Sequence, residues 1–168
     1  MKKLILLICL FTFSATQAQD LFGGVKFSLN MPSVSGSSID ADLGFSIGYF
    51  ETMYLSESFA LEGEINYTTM SWETTTTFGD GDNQGSNTVS DDASFIEIPL
   101  MAKYVMDNFH LAAGLQLNFG GMSNTVPLFD ASYHTESFRF GARYVAYGED
   151  LVGESTTNYS FYIGYTLF

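Results

Sequence analysis

The 168 residues contain one cysteine, Cys9, and it lies in a segment that does not belong to the folded domain. Lys2 and Lys3 form a short basic start, and residues 4–15 are an apolar run. A run of about 12 residues is too short to cross a bilayer as a helix. Thr16, Gln17 and Ala18 follow, with small residues at the two positions a signal peptidase reads. This pattern predicts a cleaved secretory signal over residues 1–18 and a mature domain over residues 19–168. A lipid anchor on Cys9 does not fit, because Ile8 precedes it and the apolar run continues past it. The predicted mature chain therefore has no cysteine, which excludes disulfides, thiolate metal sites and a cysteine nucleophile.

Basic residues are also scarce. There are 6 against 19 acidic ones, for a net charge of −13, and loss of Lys2 and Lys3 takes this to −15. Only Lys26, Lys103, Arg139 and Arg143 remain, scattered singly. Nucleic acid is excluded as a partner, because phosphate binding needs a basic patch. Outside residues 4–15, no apolar stretch approaches 18 residues, so no membrane-spanning helix is expected.

What the sequence has in quantity is period-two alternation, the mark of strands with two unlike faces. Val25, Phe27 and Leu29 alternate with Lys26, Ser28 and Asn30. Phe45, Ile47 and Tyr49 alternate with Ser46 and Gly48, and Leu61, Ile65 and Tyr67 with Glu62, Glu64 and Asn66. The same rhythm returns over residues 96–104, 111–119, 138–144 and 159–167, which makes seven clear strands. An eighth over residues 125–133 is weaker, with Phe129, Ala131 and Tyr133 on one side and Pro127 near its start. Closure argues for it: an up-and-down sheet needs an even strand count, and an open edge cannot sit in lipid. Short links at residues 54–58, 106–108 and 134–137 alternate with long polar stretches at 32–42, 73–93 and 148–157. Residues 120–124 are a short link where a long one is expected. The fold expected is all-β: an eight-stranded antiparallel up-and-down transmembrane β-barrel, monomeric, with short periplasmic turns and long outer loops.

A soluble calyx shows the same alternation, so the decision rests on which face is wet. The polar face is Gly, Ser, Asn, Thr and Gln with a few charges of both signs: Glu62, Glu64 and Glu97 against Lys26, Lys103, Arg139 and Arg143. Few, balanced charges among small residues suit the crowded lumen of a narrow barrel. The opposite face is nearly uncharged, and Trp72, Tyr104, Tyr159 and Tyr165 fit interfacial girdles. The lumen acids and bases are expected to pair, since lone charges there are costly.

Three segments resemble a known family. GGVKFSLN (23–30) resembles the first strand of the Bacteroidetes-type outer-membrane beta-barrel domain family, of OmpA/OmpX size, which includes PorT-like proteins. FIEIPLMAKY (95–104) resembles its Glu-x-Pro-Leu strand through Glu97, Pro99 and Leu100. FGARYVAYG (140–148) resembles its penultimate strand through Ala142, Arg143 and Tyr144. The resemblance implies an eight-stranded barrel in the outer membrane of a Gram-negative bacterium, and no catalytic set. A last strand ending in Phe168 also resembles the signal read by the barrel-assembly machinery, although Phe168 directly after Leu167 breaks the alternation.

Other chemistry is sparse. Asp80, Asp82, Gly85 and Asp91 fall at positions 1, 3, 6 and 12 of a calcium-loop pattern, with Gln84 and the missing Glu as departures. Asp40, Asp42, Glu73, Asp80, Asp82, Asp91, Asp92, Glu149, Asp150 and Glu154 all fall in the expected outer loops, where they would attract divalent cations or a basic partner. Pro99 removes a ladder donor and marks a local kink or bulge. His110 and His134 sit at short turns with no recognisable Ser and carboxylate arrangement, and Gly-x-Ser-x-Gly is absent. Neither a catalytic site nor a cofactor is expected. The functional expectation is a structural or surface-interaction protein with a plugged polar lumen. Two alternatives stand beside it: a small pore gated by those ion pairs, and a membrane subunit of a secretion or gliding apparatus. A lipid-modifying enzyme is disfavoured.

Overall fold

The structure is a computed structural model that describes residues 21–34, 39–78, 85–121, 123–148 and 156–168. At 34, 39–41, 72–78 and 85–91 it describes the backbone alone. The predicted signal lies outside the described residues. Among the described residues nine strands follow one another: β1 (Leu21–Val34), β2 (Ile39–Ala41), β3 (Gly44–Ser56), β4 (Phe59–Phe78), β5 (Gly85–Met106), β6 (Phe109–Gly120), β7 (Thr125–His134), β8 (Phe138–Gly148) and β9 (Thr156–Thr166). β2 is a short piece held against β4. The other eight form one antiparallel ring in chain order, closed where β1 pairs β9 through Val25↔Tyr165 and Phe27↔Ile163. Closure gives the barrel strands a partner on both sides, which a sheet without water to satisfy its edges requires.

The weak strand expected over residues 125–133 is β7, and its defect is placed where it does least harm. Pro127 pairs with Leu115 of β6, while the ladder to β8 begins one residue later at Leu128↔Val145. Pro99 produces a gap without a bulge. The β4–β5 ladder skips from Gly63↔Leu100 to Asn66↔Glu97 and resumes in the same register, because proline has no N–H to offer. After Thr166 the chain leaves the ladder, but Leu167 N–H bonds to Gly23 O at 2.8 Å and Gly23 N–H to Phe168 O at 3.0 Å. Phe168 thus ends exposed on the outer face beside the start of β1.

Residues 73–93, read above as a long polar loop, are instead mostly strand. β3 follows β4 only to Phe45↔Thr69 and β6 follows β5 only to Phe95↔Gly120, yet β4 and β5 stay paired out to Phe78↔Gly85. That ribbon overhangs the rim by nine residues of β4, roughly 30 Å at the rise of an extended chain. Composition explains the misreading. Thr74, Thr75, Thr76 and Thr77 are β-branched and favour extended backbone, but they carry no apolar alternation because no lipid flanks them.

The outer face carries the apolar set. Ile47, Phe129 and Phe161 are each 57–58% exposed, and Phe27, Leu29, Ile65, Leu115 and Ile163 share that surface. The aromatic rings pair along it, Phe59 with Tyr104 at 5.3 Å and Phe138 with Tyr165 at 5.2 Å between centroids. Tyr104, Tyr159 and Tyr165 face outward; Tyr104 and Tyr165 lie near the short turns, Tyr159 six residues further up β9, and the Trp72 side chain lies outside the described set. A water-soluble protein of this size does not expose so continuous an apolar surface.

The inner face holds small or polar residues around a few large ones. Gly164 stands opposite Arg139 and Gly141 opposite Tyr162. A Cβ on Gly164 would come within 2.7 Å of Arg139 Cγ, and one on Gly141 within 2.3 Å of the Tyr162 ring. In a narrow barrel a long side chain needs a missing one next to it. Toward the outer end the interior is two-sided. Met70, Phe95, Val126, Leu128, Val145 and Tyr147 form a buried apolar cluster on the β4–β8 side. Asn30, Ser46, Thr156, Asn158 and Ser160 line the side made by β9, β1 and β3.

Candidate functional site

Glu62 and Glu64 are two apart on β4, so both point into the barrel. In ring order β8 is four strands from β4 either way, directly across the lumen. Arg139 and Arg143 on β8 span that diameter. Arg143 grips both oxygens of Glu64, Nη1 to Oε2 and Nη2 to Oε1, each at 2.8 Å. Arg139 bridges the two glutamates, Nη1 to Glu62 Oε2 at 2.7 Å and Nη2 to Glu64 Oε1 at 3.2 Å. Lys103 of β5 reaches Glu62 Oε2 at 2.6 Å, and Lys26 of β1 donates to Glu64 Oε2. Asn66 adds a bond to Glu64 at 3.0 Å, and Thr52 donates to Glu62. The two-pronged Arg143–Glu64 contact is the strong form of ion pair, since it fixes geometry as well as charge.

Aromatic faces complete the packing. The Arg139 guanidinium carbon lies 3.4 Å from the centre of the Phe50 ring, and Lys26, Arg139 and Arg143 all stand within 6 Å of the Tyr162 ring. Every charged member of this layer is buried.

The layer includes an acid that the sequence reading missed. Asp130 of β7 accepts from Arg143 Nε at 3.0 Å and from Tyr162 Oη at 2.8 Å. Conversely, Glu97 makes no ion pair among the described residues, contrary to the pairing expected above. It accepts instead from Gln116 Nε2 at 2.9 Å and Tyr147 Oη at 3.1 Å, with Asn118 also bonded to Gln116. The reason is height: Glu97 sits opposite Asn66 and Asn118, beyond the layer where the bases lie. Lys26, Lys103, Arg139 and Arg143 therefore meet Glu62, Glu64 and Asp130, while Glu97 is held by neutral donors.

At the end that carries the short turns His110 and His134 stack face to face, 3.8 Å between centroids and 22° apart in plane. Ser132 Oγ lies 3.0 Å from His134 Nε2, a contact the sequence reading did not anticipate. Ser132 is itself buried, and among the described residues no carboxylate hydrogen-bonds to either ring. The arrangement packs the mouth and does not assemble a nucleophile with a carboxylate-oriented base.

Of the calcium-loop residues, Asp80 and Asp82 lie outside the described residues. Gly85–Met106 is strand throughout, and Asp91 pairs with Trp72. Six steps of extended chain carry Asp91 about 20 Å from Gly85, whereas a calcium loop curls its ligands around one point. The described residues contain no group of three His, Cys, Asp or Glu placed to hold a metal.

Closed ring, apolar exterior and charged interior coincide with what sequence comparison finds. Residues 14–166 match the family described as outer membrane protein beta-barrel domain. The chain belongs to that family. It is a small eight-stranded barrel of the Gram-negative outer membrane. Among solved structures, the family member resembles Ail, the attachment invasion locus protein of Yersinia pestis, in complex with the heparin analogue sucrose octasulfate: 8% identity, 88% of this chain and 97% of that one, TM-score 0.49. It also resembles Neisserial surface protein A, at 15% identity over 88% and 97% with TM-score 0.44. OprG from Pseudomonas aeruginosa is 13% identical over 88% and 94%, with TM-score 0.40. No curated protein matches it.

Proposed function

We propose that this barrel is a sealed membrane anchor that holds the β4–β5 ribbon outside the cell as an acidic docking surface for a cationic partner. The ribbon carries the reading. Its register sets Asp40 opposite Glu73, and Asp91 and Asp92 occupy the next two rows of β5. All four bases of the predicted mature chain are used inside the barrel, so none offsets this charge. Clustered carboxylates on an extended arm raise the local concentration of positive partners and speed their encounter. The side chains that span the lumen support the sealed part, since an eight-stranded barrel has room for little else. A gated pore would need the Arg143–Glu64 grip to break and the apolar cluster above it to part.

Replacing residues 71–92 with Asn-Gly joins Met70 to its cross-strand partner Ala93 by a two-residue turn. The change removes Glu73, Asp80, Asp82, Asp91 and Asp92. The shortened barrel is expected to fold, as judged by heat-modifiable migration in gels, while cells displaying it bind polylysine several-fold less. Binding by the intact protein should weaken with salt over the range where charges are screened. Equal binding by both forms would overturn the docking role. In planar bilayers the intact protein is expected to be silent, and a steady conductance would overturn the sealed lumen.

A further inference from the structure

Among the described residues the outer face carries a depression. Ala102 pairs with Ala113 across β5–β6, and Ala131 with Ala142 across β7–β8. These four small residues form the low points of a groove of about 640 Å³, with Phe59 and Tyr104 at one end, Tyr144, Tyr159 and Phe161 at the other, and Leu111 and Phe129 rising beside Ala131 and Ala113 between the two pairs. Its lining is almost wholly apolar. The floor lies four or five residues above the periplasmic turns, roughly 12 Å at the rise and tilt of barrel strands. That depth is the hydrocarbon of the periplasmic leaflet, about half of a ~25 Å band.

The turns below the groove have one sign of charge. Glu57, Asp107 and Glu136 are exposed there, and the bases of the described residues are all inside the barrel. An anionic headgroup would meet repulsion at this mouth, and an ammonium group would meet attraction.

We propose that the groove is a binding site for one phospholipid of the periplasmic leaflet, with one of its two acyl chains on the alanine floor and an ammonium-bearing headgroup against the acidic turns. Shape favours a single chain: a flexible tail follows a shallow trough between aromatic ridges, and a flat sheet face offers it none. The proposal rests on the barrel fold and is independent of the docking role of the ribbon.

Native mass spectrometry of the purified mature protein tests it, with phosphatidylethanolamine and phosphatidylglycerol of identical chains supplied in equal amounts. The intact protein is expected to retain one phosphatidylethanolamine after other lipids are stripped, at least five-fold over phosphatidylglycerol. Ala113→Phe and Ala131→Phe fill the floor from the lipid side and should each reduce retention about ten-fold, while heat-modifiable migration confirms that both fold. Ile47→Phe, on the far side of the barrel, should not change it. Glu57→Gln with Asp107→Asn should keep the bound lipid and bring the two headgroups to parity. Unchanged retention in both filled variants would overturn the site, and equal retention of the two lipids by the intact protein would overturn the headgroup assignment. A doubled mass that vanishes in Ala113→Phe would show a second copy of the chain as the occupant and overturn the lipid.

Discussion

Glu64→Ala is expected to destabilise the folded barrel by roughly 3–5 kcal/mol, the range for removing one partner of a buried ion pair. Glu64 is the acceptor for Lys26, Arg139 and Arg143 at once. Without it, Arg143 keeps Asp130, Arg139 keeps Glu62, and Lys26 keeps no carboxylate among the described residues. Lys26 stands 4.9 Å over the Tyr162 ring, and that contact alone does not replace an ion pair for a buried ammonium. Urea unfolding in lipid vesicles measures the loss as a lower midpoint at unchanged slope.

A second variant separates charge from volume. Glu64→Ala combined with Lys26→Met removes the stranded ammonium and should recover a large part of the loss, since well-packed apolar replacements of buried ion pairs are often neutral or better. Recovery near zero would mean that Glu64 acts through shape alone. A loss under about 1 kcal/mol in the single variant would mean that the interior is wet enough to screen its charges.

The sequence made the barrel legible because lipid and lumen impose opposite demands on neighbouring residues. Wherever those demands hold, parity reads correctly: Lys26, Glu62, Glu64, Lys103, Arg139 and Arg143 all point inward as the alternation requires. Asp130 was readable by the same rule, because the parity that sends Phe129 and Tyr133 outward sends Asp130 inward. Height is different. Parity says which side a residue faces and nothing about its level, so Glu97 looked like a member of a layer it does not reach. The apolar cluster at Met70, Phe95 and Val145 was hidden because it reverses the polar-inside rule: Met70 faces inward between Thr69 and Ser71, and Val145 lies between the equally apolar Tyr144 and Ala146, so the contrast between faces is inverted or absent there. Beyond the rim water lies on both sides, the contrast ends, and the paired ribbon of β4 and β5 read as a loop.

Ile65→Arg is expected to cost about 2–4 kcal/mol, the range for a guanidinium near the bilayer midplane on a barrel exterior. Ile65 is 51% exposed on β4, six residues above Phe59, or roughly 15 Å above the periplasmic turn. Its neighbours in the described barrel, Tyr49 and Tyr67, are uncharged, so the introduced charge has only hydrocarbon or a long reach to the headgroups. Leu43→Arg provides the comparison. Leu43 is 67% exposed at the outer rim, just before β3, where a basic side chain reaches water directly and should cost about 0–1 kcal/mol. The difference between the two, measured by reversible urea unfolding in the same vesicles, reports the solvent on the outer face. In a water-dispersed barrel both positions would accept arginine with less than about 0.5 kcal/mol. Only a hydrocarbon belt makes the penalty depend on height, so a depth-dependent loss from Leu43 to Ile65 would tie the aromatic, uncharged surface to the membrane by measurement, and equal small losses would sever it.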